Sequence, residues 1–137
     1  MNRNEMKIEF GSDPRNESFA RVVVASFMTR TNPTLEEVAD VKTAVSEAVT
    51  NSIIHGYGQK EGTIEIRAYI EERKLYIEIT DYGCGIEDVE KAMEPMFTTG
   101  KDGRSGMGFS FMEAFMDELT VESEPGKGTT VKMAKKI

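Results

Sequence analysis

The sequence predicts an α+β two-layer sandwich, a mixed, mainly antiparallel sheet covered on one face by helices, formed as a single domain over residues 1–137. Three observations predict it. Several short segments alternate apolar and polar residues, as strands with one buried face do. Two longer segments carry apolar residues at helical spacing. The element order reads β-α-α-β-β-α-loop-α-β-β, with helices available to cover one sheet face, and not as the strict alternation of a doubly wound parallel fold.

Taken in order, Lys7 to Phe10 reads as a short strand. Asp13-Pro14 reads as a helix start with Pro14 at the first helical position, and this helix is expected to run to about Arg30. Thr34-x-x-Glu37 is a capping box, opening a second, longer helix that ends near Gly56. In it Val38, Val41, Val45, Val49 and Ile53 form one apolar stripe. Two alternating strands follow, the first with Ile64, Ile66, Ala68 and Ile70 on one face, the second with Leu75, Ile77 and Ile79 opposite Tyr76, Glu78 and Thr80. Glu71 to Lys74 is their turn. A short helix is expected around Asp88 to Met93, turn chemistry without a period from Glu94 to Ser105, and a helix from about Gly106 to Met116. Leu119 to Ser123 and Thr129 to Met133 are the last strands, joined through Glu124-Pro125-Gly126-Lys127-Gly128.

Composition narrows the function. Hydrophobic residues are 39% and charged residues 30% of the 137, the balance of a globular chain. No apolar run approaches the roughly 20 residues that cross a bilayer, and no signal peptide is visible, so no membrane association and a cytoplasmic location are expected. A single cysteine, Cys84, forbids an internal disulfide, and with a single histidine, His55, argues against a zinc site. A net charge of −7 argues against direct nucleic-acid binding.

Four features carry possible chemistry. Glu47, Asn51 and His55 project from consecutive turns of the second helix, roughly opposite its apolar stripe. That line is either a solvated polar face or the wall of a site in which an amide oxygen suits Mg²⁺ and a carboxylate accepts a proton. Asp81-x-Gly83-x-Gly85 ends a strand. It is either an ordinary turn or a place where backbone passes close to a flat ligand while the aspartate accepts from an exocyclic amine. Six of the 12 glycines fall between Gly83 and Gly108, which marks that stretch for unusual backbone geometry. Within it, Lys101 and Arg104 precede Gly106-Met107-Gly108 at a helix start, either a charged surface loop or an anion site. Gly128-Thr129-Thr130 opens the last strand, by β-propensity or to set a hydroxyl beside Asp81. There is no P-loop, no complete dinucleotide fingerprint and no protein-kinase H-R-D or D-F-G motif.

The order of the four is more specific than any one of them. E-x-x-x-N on a helix, D-x-G-x-G after a strand, a glycine-rich segment into a helix and G-T on a late strand resemble the GHKL superfamily of ATP-binding domains, whose fold is the Bergerat type. Glu47 to Tyr57, Arg104 to Phe109, Phe115-Met116-Asp117-Glu118 and Asn16 to Arg21 are similar to the anti-sigma-factor serine kinases, the sporulation anti-sigma-F group in particular. The resemblance implies ATP and ADP binding with Mg²⁺. It implies that Asn51 ligates Mg²⁺, that Glu47 is the general base, and that Asp81 binds the adenine amine while Gly83 and Gly85 admit the ring. Thr129, or alternatively Thr130, supports Asp81. Thr99, Lys101, Arg104, Ser105, Gly106, Met107 and Gly108 surround the phosphates, and His55 supports.

Glu47 separates branches of the superfamily. A serine hydroxyl must lose a proton as it attacks, whereas a histidine substrate need not, so an acidic base fits a protein serine/threonine kinase. The chain is too short to hold the coupling domains of a gyrase-like ATPase. In the first helix Phe19, Val22, Val23 and Phe27 read as the core side. Arg21, Val24, Ala25 and Met28 read as a second apolar face around an arginine, either buried or an interface. The resemblance favours an interface: a homodimer that holds sigma factor F through this region and phosphorylates a serine of an anti-anti-sigma factor. The alternative is a nucleotide-gated sigma-binding module without kinase activity.

Overall fold

The computed structural model describes residues 4–58, 60–93 and 108–137. The elements are β1 (Asn4–Gly11), α1 (Asn16–Met28), α2 (Leu35–Asn51), β2 (Thr63–Glu71), β3 (Lys74–Asp81), α3 (Val89–Ala92), α4 (Gly108–Phe115), β4 (Glu118–Glu124) and β5 (Gly128–Lys136). A 3₁₀ turn, Thr29–Thr31, follows α1, and a π-helical turn, Ser52–Tyr57, continues α2. The strands form one sheet in the order β1-β2-β3-β5-β4, and every pairing described is antiparallel. The expected order of elements and the two-layer architecture therefore hold.

Local signals account for most boundaries. Thr34 Oγ1 accepts from Glu37 N–H at 3.0 Å while Thr34 N–H donates to Glu37 Oε1 at 2.8 Å, the reciprocal pair that the capping box implies. The first helix starts two residues later than Pro14. Asp13 to Asn16 forms a turn instead, in which the Asp13 carboxylate accepts from Arg15 N–H at 2.8 Å and the Asn16 side chain donates to Gly11 O at 2.9 Å. Hydrogen bonds from the Arg15 side chain and backbone hold the Asp13 carboxyl down to about 2. The β2–β3 turn uses two non-glycine residues at positive φ, Glu72 at 51° and Arg73 at 64°. Such a twist matches that of the flanking strands. Arg73 offsets its cost by donating to Thr31 O at 3.0 Å and to the terminal Ile137 O at 3.3 Å.

Strand parity builds the core. Ile64, Ile66 and Ala68 of β2, Leu75, Ile77 and Ile79 of β3, and Val131 and Met133 of β5 all face the helices and are buried. Val41, Val45, Val49 and Ile53 of the predicted stripe meet them, with Val38 at the margin. Burying one such side chain contributes about 1.5–3 kcal/mol. The other sheet face carries Tyr69 stacked on Tyr76 at 4.5 Å and a Thr80–Thr130 hydroxyl pair at 3.0 Å.

The face assignment of α1 is corrected by the structure. Ala20, Val24 and Met28 are fully buried, whereas Phe19 is 52% and Val22 56% exposed. Val24 and Met28 therefore belong to the core and cannot be partner contacts. The physical reason is close packing of α1 on α2, which is met by the i, i+4 line Ala20, Val24 and Met28, free of aromatic rings. The bulkier arc dominates hydrophobicity read from sequence, yet Phe27 only flanks the core and Phe19 meets Phe10 edge-on at 6.2 Å. Among the described residues no helix is long and apolar enough to cross a membrane.

Candidate functional site

A cavity of about 570 Å³ opens between the C-terminal end of α2, the end of β3, α3 and the start of α4. Asn51, Ser52, His55 and Gly56 form one wall, Asp81 and Thr129 the floor, and Cys84 to Asp88 with Lys91 the rim. Three of the four sequence features thus converge on it.

Parity explains why Asp81 is there. It continues the buried face Leu75-Ile77-Ile79 by two more residues, so the β3 pattern that builds the core delivers a carboxylate to the edge of that core, where it is only 4% exposed. Its register partner on β5 is Thr129, which lies on the same face. Thr129 lines the cavity, while Thr130 pairs with Thr80 and points to the opposite sheet face. Gly83 N–H donates to Asp81 Oδ1 at 3.0 Å. Burial pushes the Asp81 carboxyl above the ordinary carboxylate value, with the polar surroundings at Gly83, Ser52 and Thr129 opposing the shift.

Gly83 and Gly85 serve the protein's own backbone before any ligand arrives. A Cβ on Gly83 would lie on the carbonyl oxygen of Gly56, and one on Gly85, at φ 76°, on that of Glu124. The close approach lets Cys84 N–H donate to Gly56 O at 2.8 Å, tying the π-turn to the β3 exit. Cys84 Sγ adds a contact to His55 O at 3.0 Å. Gly83→Ala is therefore expected to lower stability by about 1–3 kcal/mol, as forced overpacking does, and to open the cavity wall. Gly11→Ala, where a Cβ meets nothing within 4 Å, is the matched control. Chemical denaturation of the pair checks this, and equal midpoints would refute it.

Asn51 points its amide at the start of α4. A Cβ on Gly108 would lie 3.0 Å from Nδ2 and 3.1 Å from Oδ1. Its oxygen is a hard donor of the kind Mg²⁺ takes. Among the described residues no group of three His, Cys, Asp or Glu side chains could hold a metal by itself. The donor set thus fits a Mg²⁺ shared with phosphates and waters better than a protein-only cage. Glu47 lies one turn before Asn51, half-buried and outside the described cavity lining. Thr99, Lys101, Arg104, Ser105, Gly106 and Met107 lie outside the described residues.

Sequence reasoning missed Ser52 and Gly56. The signal was present as Ala44, Ala48, Ser52 and Gly56, small residues every four positions between the apolar stripe and the polar line. Ala44, Ala48 and Ser52 are buried, and Ala48, Ser52 and Gly56 line the cavity. A Cβ on Gly56 would lie 2.8 Å from Asp81 Oδ1.

An antiparallel sheet with a helix-walled cavity floored by a buried aspartate is the architecture of a nucleotide-binding domain. The chain matches the histidine kinase-like ATPase domain over residues 10–135. It is 60% identical over 135 residues to the anti-sigma F factor of Thermoanaerobacter sp. (strain X514), covering 98% of this chain and 94% of that protein. It is 59% identical over 138 residues to the anti-sigma F factor of Clostridium acetobutylicum, covering 100% and 96%. The blue-light activated histidine kinase of Erythrobacter litoralis EL346 shares the fold, with a TM-score of 0.58 and 22% identity, over 83% of this chain and 39% of that one. The chain belongs to the histidine kinase-like ATPase domain family and, within it, to the anti-sigma F factors.

Proposed function

We propose that this protein binds and inhibits sigma factor F and, using Mg-ATP, phosphorylates a serine of an anti-anti-sigma factor. The observation that carries the reading is the cavity itself. A buried acceptor, Asp81, sits at its floor and a hard oxygen donor, Asn51, on its wall, in a chain closely related to anti-sigma F factors along nearly its whole length. Asp81 accepts from the adenine amine, and ADP occupies the same pocket as ATP. Asn51 holds Mg²⁺, which when bound neutralises charge between the phosphates. Glu47 accepts the proton of the substrate serine as its oxygen attacks the terminal phosphoryl group. Thr99, Lys101, Arg104, Ser105 and the glycines Gly106 and Gly108, with Met107 between them, surround the phosphates.

The test is incubation with labelled Mg-ATP and an anti-anti-sigma factor, followed by a search for phosphoserine. Transfer is expected. Nucleotide-dependent sigma-factor binding without transfer would leave the protein a nucleotide-gated inhibitor, and absence of adenine-nucleotide binding would remove the reading altogether.

The protein acts in the cytoplasm as a homodimer and meets sigma factor F through the exposed side of α1. Arg21 and Ala25 stay partly exposed there, beside the outward Phe19 and Val22. A guanidinium among apolar side chains suits the centre of an interface. Among the described residues Arg21 makes a long contact to Glu17, at 4.0 Å. Arg21→Glu is therefore expected to leave folding and ATP binding near the parental level while lowering sigma-factor affinity by roughly 30-fold or more, as reversal of an interfacial charge does. Co-purification and calorimetry with both ligands check it. Unchanged sigma-factor binding would move the interface elsewhere.

A further inference from the structure

We propose that Tyr57 is a positioning residue for the nucleotide site: its hydroxyl ends the β2–β3 ladder as a bridge between Thr63 and Tyr82, and so sets the course of the chain from Asp81 to Gly85. The inference rests on the nucleotide-binding reading of the cavity and adds to it a residue that is not among those lining the described cavity.

Register places the bridge. Ile64 of β2 faces Asp81 of β3, so Thr63 and Tyr82 stand opposite each other one residue further on. There Tyr82 N–H donates to the Tyr57 hydroxyl at 2.7 Å, and that hydroxyl donates to Thr63 O at 2.5 Å. A side-chain oxygen thus stands where the next ladder bond would run. Its single proton and one of its lone pairs are both used. Beyond this point the chain leaves β2 and passes under the π-helical turn. Cys84 N–H donates to Gly56 O at 2.8 Å, and a Cβ on Gly83 would lie 2.0 Å from that oxygen. Tyr57 ends the same turn, Ser52–Tyr57, a rare geometry that recurs at functional sites. One turn therefore holds the β3 exit at two points, Tyr82 through a side chain and Cys84 through a backbone carbonyl.

The ring that carries the hydroxyl is itself fixed. It lies over Gly62, where a Cβ would fall 2.2 Å from Cε1 and 2.4 Å from Cζ of Tyr57. Gly62 is pinned in turn by Ser12, whose N–H donates to Gly62 O at 2.9 Å and whose Oγ accepts from Gly62 N–H at 3.0 Å. The end of β1 thus seats the ring, and the hydroxyl is delivered from a held position. Between the two held points of the β3 exit lies Gly83, whose N–H reaches Asp81 Oδ1 at 3.0 Å. Asp81 and the run from Cys84 to Asp88 line the cavity. Because Tyr57 is not in that lining, its hydroxyl acts on a ligand there through the chain it positions and not by touching it. Tyr57→Phe keeps the ring over Gly62 and deletes the bridge alone.

The experiment combines amide hydrogen exchange read by NMR, calorimetry of Mg-ATP and Mg-ADP, and kcat and KM for serine phosphorylation. It compares the parent, Tyr57→Phe and Tyr76→Phe, with thermal melts to show that each is folded. Tyr76 stacks on Tyr69 on the other sheet face, so Tyr76→Phe controls for the loss of a tyrosine hydroxyl. In Tyr57→Phe, exchange at Tyr82 and Cys84 is expected to speed up by roughly tenfold or more, with Ile77 and Ile79 of β3 unchanged. The Kd of both nucleotides and the KM for ATP should rise together by roughly three- to tenfold, with kcat at saturation unchanged. Tyr76→Phe should match the parent throughout. Four results for Tyr57→Phe would overturn the proposal: parental exchange at Tyr82, parental nucleotide affinity, a kcat that falls with KM unchanged, or failure to fold, which would make Tyr57 a folding residue and nothing more. If the parent binds no adenine nucleotide, the reading of the cavity fails first and takes the positioning role with it, while exchange at Tyr82 still reports the bridge by itself.

Discussion

Glu47→Gln is expected to bind Mg-ATP and sigma factor F at the parental level and to phosphorylate its serine substrate roughly 10²–10⁴-fold more slowly. Glutamine keeps the shape of the side chain and loses only the ability to take a proton. Glu47 lies one turn before Asn51 and is not among the residues lining the described cavity, so nucleotide contacts should survive. The loss should fall toward the low end of the range, because a loose phosphoryl-transfer transition state demands little of its nucleophile. Asn51→Ala supplies the contrast. It removes the proposed metal donor, so Mg-dependent affinity and transfer should fall together. Single-turnover transfer beside calorimetry separates the two variants. A Glu47→Gln protein that transfers at the parental rate would remove the base assignment. One that fails to bind Mg-ATP would make the carboxylate part of the metal site instead.

Asp81→Asn should cost about 10²-fold in ATP affinity while leaving the fold within about 1 kcal/mol of the parent at neutral pH. The affinity falls because a charged acceptor aimed at an amine becomes a group that also donates. The fold survives because the side chain keeps its shape and its oxygen still takes the Gly83 N–H. The pH dependence carries the sharper signature. Burial raises the Asp81 carboxyl above its ordinary value of 3.8. Between that value and the raised one, the native state holds the proton more tightly than the unfolded chain. Stability contributed by this group therefore rises as pH falls through the raised value, and is lost as pH rises again. Asparagine has no such slope. The stability of the parent relative to Asp81→Asn should grow as pH is lowered through that window, as read by denaturation at matched pH. A difference independent of pH would mean that Asp81 titrates normally.

Much of this was legible in the chain because the relevant forces are local or periodic. The capping box at Thr34 and Glu37 states its own hydrogen bonds. The alternation in β2 and β3 states which face is buried, and the stripe Val41-Val45-Val49 states which side of α2 meets it. Glu47, Asn51 and Asp81 were singled out by residue type and spacing, which is all that a short motif needs. Tertiary structure decided what depends on a second segment. Whether Ala20-Val24-Met28 or the bulkier Phe19-Val22-Val23-Phe27 arc of α1 turns inward depends on how closely α2 can approach, and periodicity alone cannot rank two apolar arcs. Thr129 rather than Thr130 stands beside Asp81 because antiparallel register sets parity across strands 48 residues apart. The demands of Gly83 and Gly85 come from the carbonyls of Gly56 and Glu124, which no local pattern connects to them. Ser52 and Gly56 became part of the cavity wall only when the π-turn set them beside Asp81. A buried carboxylate takes its meaning from the groups around it, and those groups come from α2's extension, the β3 exit and β5, three segments that meet only in the folded chain.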